Sequence, residues 1–196
     1  MMGKIFYLMG KSASGKDTIY KELILDNSLK LNEVVMYSTR PIRSGEVDGK
    51  DYFFVTDETL SKYTEAGKMI ESRTYSTVHG PWTYATVDDG QIDLAKGNYL
   101  MVGVLSAFAL MKKYFGEENV VPLYVEVEDG IRLERALARE RLGTPRYAEM
   151  CRRFLADSED FSEEKLAANA ITKRYNNEDF EACVAEIRKD IVSLSK

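Results

Sequence analysis

The stretch Gly10-Lys11-Ser12-Ala13-Ser14-Gly15-Lys16-Asp17-Thr18 constrains the fold of this chain more than any other, because of what stands on either side of it. Before it, Lys4-Ile5-Phe6-Tyr7-Leu8-Met9 is a short apolar run that reads as a buried strand; after it, Ile19, Leu23 and Ile24 recur at helical spacing. Strand, glycine loop and helix in that order make an anion-binding turn. Gly10 and Gly15 let the chain turn tightly, successive N–H groups point at phosphate oxygens, and the helix N-terminus adds its positive dipole end. The loop Gly10, Lys11, Ser12, Ala13, Ser14, Gly15, Lys16, Asp17, Thr18 is therefore expected to bind a nucleoside triphosphate, with Lys16 setting a point charge on the transferred phosphate. Asp17 stands where a serine or threonine usually places a hydroxyl on Mg²⁺, and a carboxylate beside phosphates is repulsive unless a cation or water lies between them. Thr18 follows directly, so Asp17 or Thr18 is the expected support for the ion.

At 196 residues the chain has room for one substantial core carrying inserted lobes. No apolar stretch approaches the roughly 18 to 20 residues that span a bilayer. No basic segment leads into an apolar run and a small-residue cleavage site, so the expected location is cytoplasmic, with no membrane partner. Cys151 and Cys183 have neither metal-ligand spacing nor a partner motif and read as reduced thiols. His79 is the sole histidine, which excludes a histidine-based triad or a multi-histidine metal site. A net charge of −5 argues against general nucleic-acid binding, yet residues 132–153 hold seven arginines against three glutamates. Ion pairs along a solvated helix would account for any single one of them. Seven in one segment beside a phosphate loop point to a mobile lid that closes on triphosphate charge.

Strand-like runs fall at 4–9, 33–38, 51–55, 68–75, 98–104 and 119–127, with a short one at 169–172. Helical patterns occupy 15–26, 57–66, 88–96, 105–115, 129–142, 145–160 and 178–194. This alternation predicts an α/β, three-layer sandwich of the P-loop NTPase kind with a parallel sheet core. Residues 33–86 are rich in strands and turns, with Pro41, Gly45, Gly49, Gly67, Gly80 and Pro81 as punctuation, and read as a small inserted lobe, mostly antiparallel. The expected division is a core of residues 1–32, 87–128 and 161–196, an acceptor lobe of 33–86 and a helical arginine-rich lid of 129–160.

The run Tyr37-Ser38-Thr39-Arg40-Pro41-Ile42-Arg43-Ser44-Gly45-Glu46-Val47-Asp48-Gly49-Lys50-Asp51-Tyr52-Phe53-Phe54-Val55 carries a second signal. Two arginines three residues apart at a proline-fixed turn suit a dianionic phosphate, since guanidinium forks bind such oxygens in pairs. A second anion site implies a phosphorylated acceptor. The run resembles the T-R-x-x-R-x-G-E-x-x-G-x-D-Y-x-F-V signature of guanylate kinases. That resemblance implies that Arg40, Arg43 and Tyr52 hold the acceptor phosphate and that Glu71 accepts hydrogen bonds from the guanine N1–H and amino group. Trp82-Thr83-Tyr84-Ala85-Thr86 resembles the family's Y-Y-G-T/S turn, which makes Tyr84 and Thr86 acceptor-binding candidates; Tyr52 and Tyr84 also suit plain packing. Arg135 and Arg139 resemble the opening of the family lid, Arg152-Arg153 its return helix, and Asn177 an asparagine near the adenine of ATP. Catalysis would then fall to Lys16, Arg40, Arg139 and Arg153, with Arg135 and Asn177 on the donor nucleotide.

Two positions depart from the family. Met36 replaces a serine that reads the guanine base, and Gly103 replaces a carboxylate on the strand near it. The resemblance implies a kinase moving the γ-phosphate of ATP to GMP or dGMP on Mg²⁺, binding small nucleotides and working as a monomer or homodimer. The departures keep open a kinase of another phosphorylated acceptor, such as a ribose bisphosphate, and a non-catalytic binding module of the same fold.

Overall fold

The computed structural model describes residues 2–77, 80–142 and 144–195. Its centre is β1 (Ile5–Met9), an apolar strand buried along its whole length. A strand with no polar face needs cover on both sides, and the sheet provides it. Five parallel strands run in the order β2 (Leu31–Glu33), β7 (Asn98–Gly103), β1, β8 (Val120–Glu126), β9 (Arg174–Asn176). Phe6 and Leu8 face α1 (Lys16–Leu25) and α7 (Phe180–Leu194), meeting Ile19, Leu23, Val184, Ile187 and Ile191. Ile5, Tyr7 and Met9 point the other way, toward Phe108 and Met111 of α3 (Leu105–Phe115) and Leu166 of α6 (Glu163–Ala168). The result is the expected three-layer α/β sandwich around a parallel sheet.

The second sheet has the order β4 (Phe53–Phe54), β3 (Tyr37–Ser38), β6 (Gly80–Val87), β5 (Met69–Thr77). Two of its pairings are antiparallel and β3–β4 is parallel. Tyr37, Ala85 and Val87 form an apolar cluster with Leu60 of α2 (Asp57–Glu65), so one face is covered by a helix and the other is left polar. The arginine-rich segment forms two helices packed on each other, α4 (Asp129–Arg141) and α5 (Tyr147–Asp160).

The structure corrects several expectations. Residues 88–96 are not a helix: Asp89 and Asp93 accept from the backbone N–H of Gln91 and Ala95, local bonds that compete with a helical ladder, and Gly90 has φ 88°. No strand forms at 169–172, because α6 ends there with Ala170 left-handed at φ 57° and Ile171 N–H bonded to Leu166 O; the strand begins only at Arg174. The run 33–38 is split between β2 and β3, which lie in different sheets. Residues 82–86, expected as a turn, lie within β6, whose Gly80 pairs with Thr77 of β5. Helix α6 was not anticipated; Ser162 caps it by accepting from the Lys165 N–H. Cys151 is exposed and Cys183 buried, both as free thiols, and His79 lies outside the described residues. Among the described residues no helix is long and apolar enough to cross a membrane.

Candidate active site

The loop Gly10–Thr18 leaves the C-terminal end of β1 and enters α1 through Gly15 at φ 87°. Neither glycine tolerates a side chain. A Cβ on Gly10 would lie 2.5 Å from Val125 O, and one on Gly15 would lie 2.3 Å from Asn177 Nδ2. Asn177 is buried at the β9–α7 junction, where its Nδ2 donates to Ser14 O at 2.7 Å, so it braces the loop from beneath. Ser14 Oγ and Asn177 Oδ1 are buried without a hydrogen-bond partner among the described residues. Ala13 holds a left-handed φ of 62°, a strained conformation for a residue with a Cβ and one that recurs where a binding loop is preset. Lys16 Nζ lies 3.7 Å from Asp17 Oδ1, with Asp17 largely exposed on the first turn of α1 and Thr18 exposed beside it. A cleft of about 330 Å³ opens next to the loop, lined by Lys11, Glu126, Val127, Glu128, Asp129, Asn176 and Glu178.

Arg132, the first of the seven clustered arginines, and Asp157, which the sequence did not single out, join α4 and α5 to this loop. Arg132 of α4 is 1% exposed. Its Nε donates to Asp129 at 3.0 Å and its Nη1 to Ser12 O at 3.2 Å, while Phe154 of α5 stacks under the guanidinium. Asp157 of α5 accepts the Ser12 backbone N–H at 2.6 Å and lies 3.7 Å from Arg132. A carboxylate thus occupies one loop amide. The Asp129/Arg132 spacing of i to i+3 was visible in the sequence; the meeting with Asp157 was not. Arg139 and Arg153 line a small crevice with Ser12, Arg132 and Met150. Arg135 reaches the other side and donates to Asn177 O at 2.9 Å. Arg152 and Arg153 both pair with Glu149, and the Arg152 hydrogen bonds above all hold that carboxyl down at about 2.

The polar face of the second sheet gathers the remaining candidates. Register explains it: Tyr37 pairs with Ala85 on the apolar face, so Ser38 and Tyr84 point to the other. Between Met69 and Glu71 the β5–β6 pairing slips by one residue, with Met69 opposite Val87 and Glu71 opposite Thr86. Without that bulge Glu71 would turn toward the apolar face; with it, Glu71 is buried beside Thr86, whose hydroxyl donates to Oε1 at 2.8 Å. Arg73 shares the face and grips the same carboxylate, Nε to Oε2 at 2.9 Å and Nη2 to Oε1 at 3.2 Å. Arg40 is 4% exposed and forms a two-pronged pair with Glu46 at 2.7 and 2.6 Å, under the rings of Tyr52 and Phe54. Those bonds hold the Glu46 carboxyl down at about 2. Arg43 remains exposed, its backbone N–H bonded to Glu46. Tyr52 and Tyr84 meet edge to face at 5.6 Å. Burial pushes the Tyr52 hydroxyl up from its ordinary value. Ile70, between Met69 and Glu71 on β5, packs in one core cluster with Tyr7 and Met9 of β1, the strand that leads into the glycine loop.

Tyr7 occupies the room that a side chain at position 103 would need. Strand pairing sets Tyr7 opposite Met101, which makes Gly103 its diagonal neighbour, and a Cβ there would fall 1.8 Å from the Tyr7 hydroxyl. That hydroxyl donates to Val104 O at 3.2 Å.

A family model described as guanylate kinase matches residues 2–89. A guanylate kinase from Thermotoga maritima is 36% identical over 154 residues, an alignment covering 76% of this chain and 69% of the relative. One from Porphyromonas gingivalis is 26% identical over 197 residues, covering 98% of each chain. The crystal structure of a guanylate kinase from Anaplasma phagocytophilum covers 99% of this chain and 87% of its own, with a TM-score of 0.66 at 22% identity, a likeness of fold.

Proposed function

This chain belongs to the guanylate kinase family and is an ATP-dependent phosphotransferase, and we propose that it carries the γ-phosphoryl group of ATP to GMP with the glycine loop holding the donor and the polar sheet face the acceptor. The observation that supports this reading is the presence of two candidate anion sites on adjoining elements, the glycine loop ending in Lys16 and a sheet face bearing Arg40, Glu71, Tyr52 and Tyr84, with Ile70 of β5 packed in one cluster with Tyr7 and Met9 of the strand that leads into the loop.

An oxygen of the acceptor phosphate attacks the γ-phosphorus, the bond from that phosphorus to the β–γ bridging oxygen breaks, and ADP leaves with the electron pair. The acceptor phosphate is already ionised at neutral pH, so no general base is required. The protein's contribution is alignment and charge. Lys16 and the loop N–H groups hold the donor phosphates. Arg40, fixed in direction by Glu46, and the exposed Arg43 hold the acceptor phosphate with the Tyr52 and Tyr84 hydroxyls. Arg139 and Arg153 reach the transferred group as α4 and α5 close, Arg135 and Asn177 border the donor nucleotide, and Glu71 with Thr86 meets the acceptor base.

Mg²⁺ suits the oxygen donors at the start of α1. An exposed carboxylate and a hydroxyl fit a hard cation that keeps most of its shell as water and phosphate oxygens, so Asp17 and Thr18 would hold it. When bound, the ion neutralises phosphate charge during transfer.

The test is ADP release from Mg·ATP with GMP, dGMP, AMP, UMP and a ribose bisphosphate as acceptors, GMP being expected to give the highest kcat/KM. Lys16→Ala should lower turnover by orders of magnitude with an unchanged melting curve. A ribose bisphosphate or pyrimidine nucleotide that exceeds GMP overturns the acceptor assignment, and a folded Lys16→Ala enzyme with near-normal turnover overturns the donor site.

A further inference from the structure

We propose that Arg73 is a specificity-determining residue of the acceptor site, presenting a guanidinium N–H to the 6-oxo group of the purine while Glu71 beside it accepts from N1–H. The inference rests on the proposed GMP acceptor and adds a residue that neither the phosphate clamp nor Glu71 alone implies.

Three observations support it. First, Arg73 stands two residues from Glu71 on the same sheet face and is held flat against that carboxylate by two bonds. A carboxylate has about four lone-pair directions. Arg73 Nε takes one on Oε2, and Arg73 Nη2 and Thr86 take two on Oε1, which leaves a direction on Oε2 for an incoming N–H. Second, Nη2 also points at the sulfur of Met36, 3.8 Å away. A thioether is a weak acceptor for a charged donor. An oxygen delivered into that space by a ligand makes a far better bond, and Met36 is where the sequence resemblance set a base-reading hydroxyl. Third, the carboxylate that the same resemblance sets at position 103 has no room here, because the Tyr7 ring fills it. Two polar readers are gone, and Arg73 is the polar group that meets Met36 at the first of those positions.

The chemistry then selects. A 6-oxopurine carries an acceptor, O6, next to a donor, N1–H, which matches a guanidinium next to a carboxylate. Arginine on guanine O6 is a recurrent pairing in nucleic-acid recognition for the same reason. Adenine reverses both groups: its 6-amino donor meets the guanidinium donors and its N1 acceptor meets the carboxylate.

The test is kcat/KM for GMP, IMP and AMP in the wild type, Arg73→Ala and Arg73→Lys, with melting curves for all three proteins. IMP lacks the 2-amino group but keeps O6 and N1–H. In Arg73→Ala, GMP and IMP should fall together by about tenfold or more, as expected for a lost hydrogen bond to a charged group, while AMP stays within about twofold. Arg73→Lys keeps the charge without the fork and should fall between; it also serves should the alanine variant fail to fold. An equal loss on all three acceptors would make Arg73 a purely structural prop, and a gain on GMP would make it a plug on Glu71; either overturns the proposal. A wild type that ignores GMP would instead overturn the acceptor assignment itself, which is a separate outcome.

Discussion

Replacing Gly103 with alanine tests whether Tyr7 owns the space beside it. The new Cβ would lie 1.8 Å from the Tyr7 hydroxyl oxygen, 2.3 Å from Cζ and 2.9 Å from Cε1. Ordinary carbon contacts sit near ~3.5–4.0 Å, so the ring must retreat by more than about 1 Å. It has nowhere to go: Tyr7 is 1% exposed, packs against Phe108 with centroids 5.5 Å apart and is tied to Val104 O. Overpacking of this kind costs about 1–3 kcal/mol, and loss of the hydroxyl bond adds roughly 0.5–1.5. Against this, alanine in an extended strand recovers about 0.4–1 kcal/mol by restricting the unfolded chain. The net is about 2 kcal/mol of destabilisation, or about 4–8 °C in Tm for a domain of this size. In a Tyr7→Leu background all three clashing atoms are absent, so the same Gly103→Ala change should be neutral or stabilising by about 0.4–1 kcal/mol. Urea and thermal unfolding of the four proteins in this cycle give the coupling directly. The same loss in both backgrounds would refute the steric account.

Arg132→Met removes the buried cation that contacts Asp129, Asp157 and Ser12 O; because Asp129 keeps Lys11 at 3.4 Å and Asp157 keeps the Ser12 N–H, the loss should be about 1–3 kcal/mol in urea titration, with Arg132→Lys recovering only part. For Glu46, the depressed carboxyl means that its stabilisation is present above the ordinary carboxylate value and lost as the pH falls through about 2. Glu46→Gln should therefore melt below the wild type at pH 7, and the gap should close between about pH 4.5 and 2 in a pH series of melting curves; a gap that persists at pH 2 would mean that Glu46 acts by shape and not by charge.

What the sequence determined by itself is local. Five apolar residues, two glycines at the spacing of a phosphate loop and a helical repeat after them define strand, loop and helix because each signal lies within one element and its neighbour. The clamp run around Arg40 and Arg43 was legible for the same reason, since Glu46 pairs with Arg40 from only six residues away. Expectations failed where local polar chemistry competes with periodicity, as at Asp89, Gly90 and Asp93, or where a strand is made by its partner, as in β6.

Tertiary structure alone decided the half of the site proposed to face the base. Whether Glu71 meets Thr86 or the apolar core depends on a one-residue slip between β5 and β6, and strand register is a property of two strands together. Whether position 103 can carry a carboxylate depends on where the Tyr7 ring lies on the neighbouring strand, and packed side chains share volume in ways no single segment records. Arg132 and Asp157 meet across two helices at Ser12, in a place set by how α4 and α5 cross over the loop. The proposed phosphate sites rest on backbone amides and short motifs, which lie within one stretch of sequence. The proposed base contacts of Glu71 and Arg73, and the Tyr7 ring that fills the room beside position 103, have positions that only packing defines.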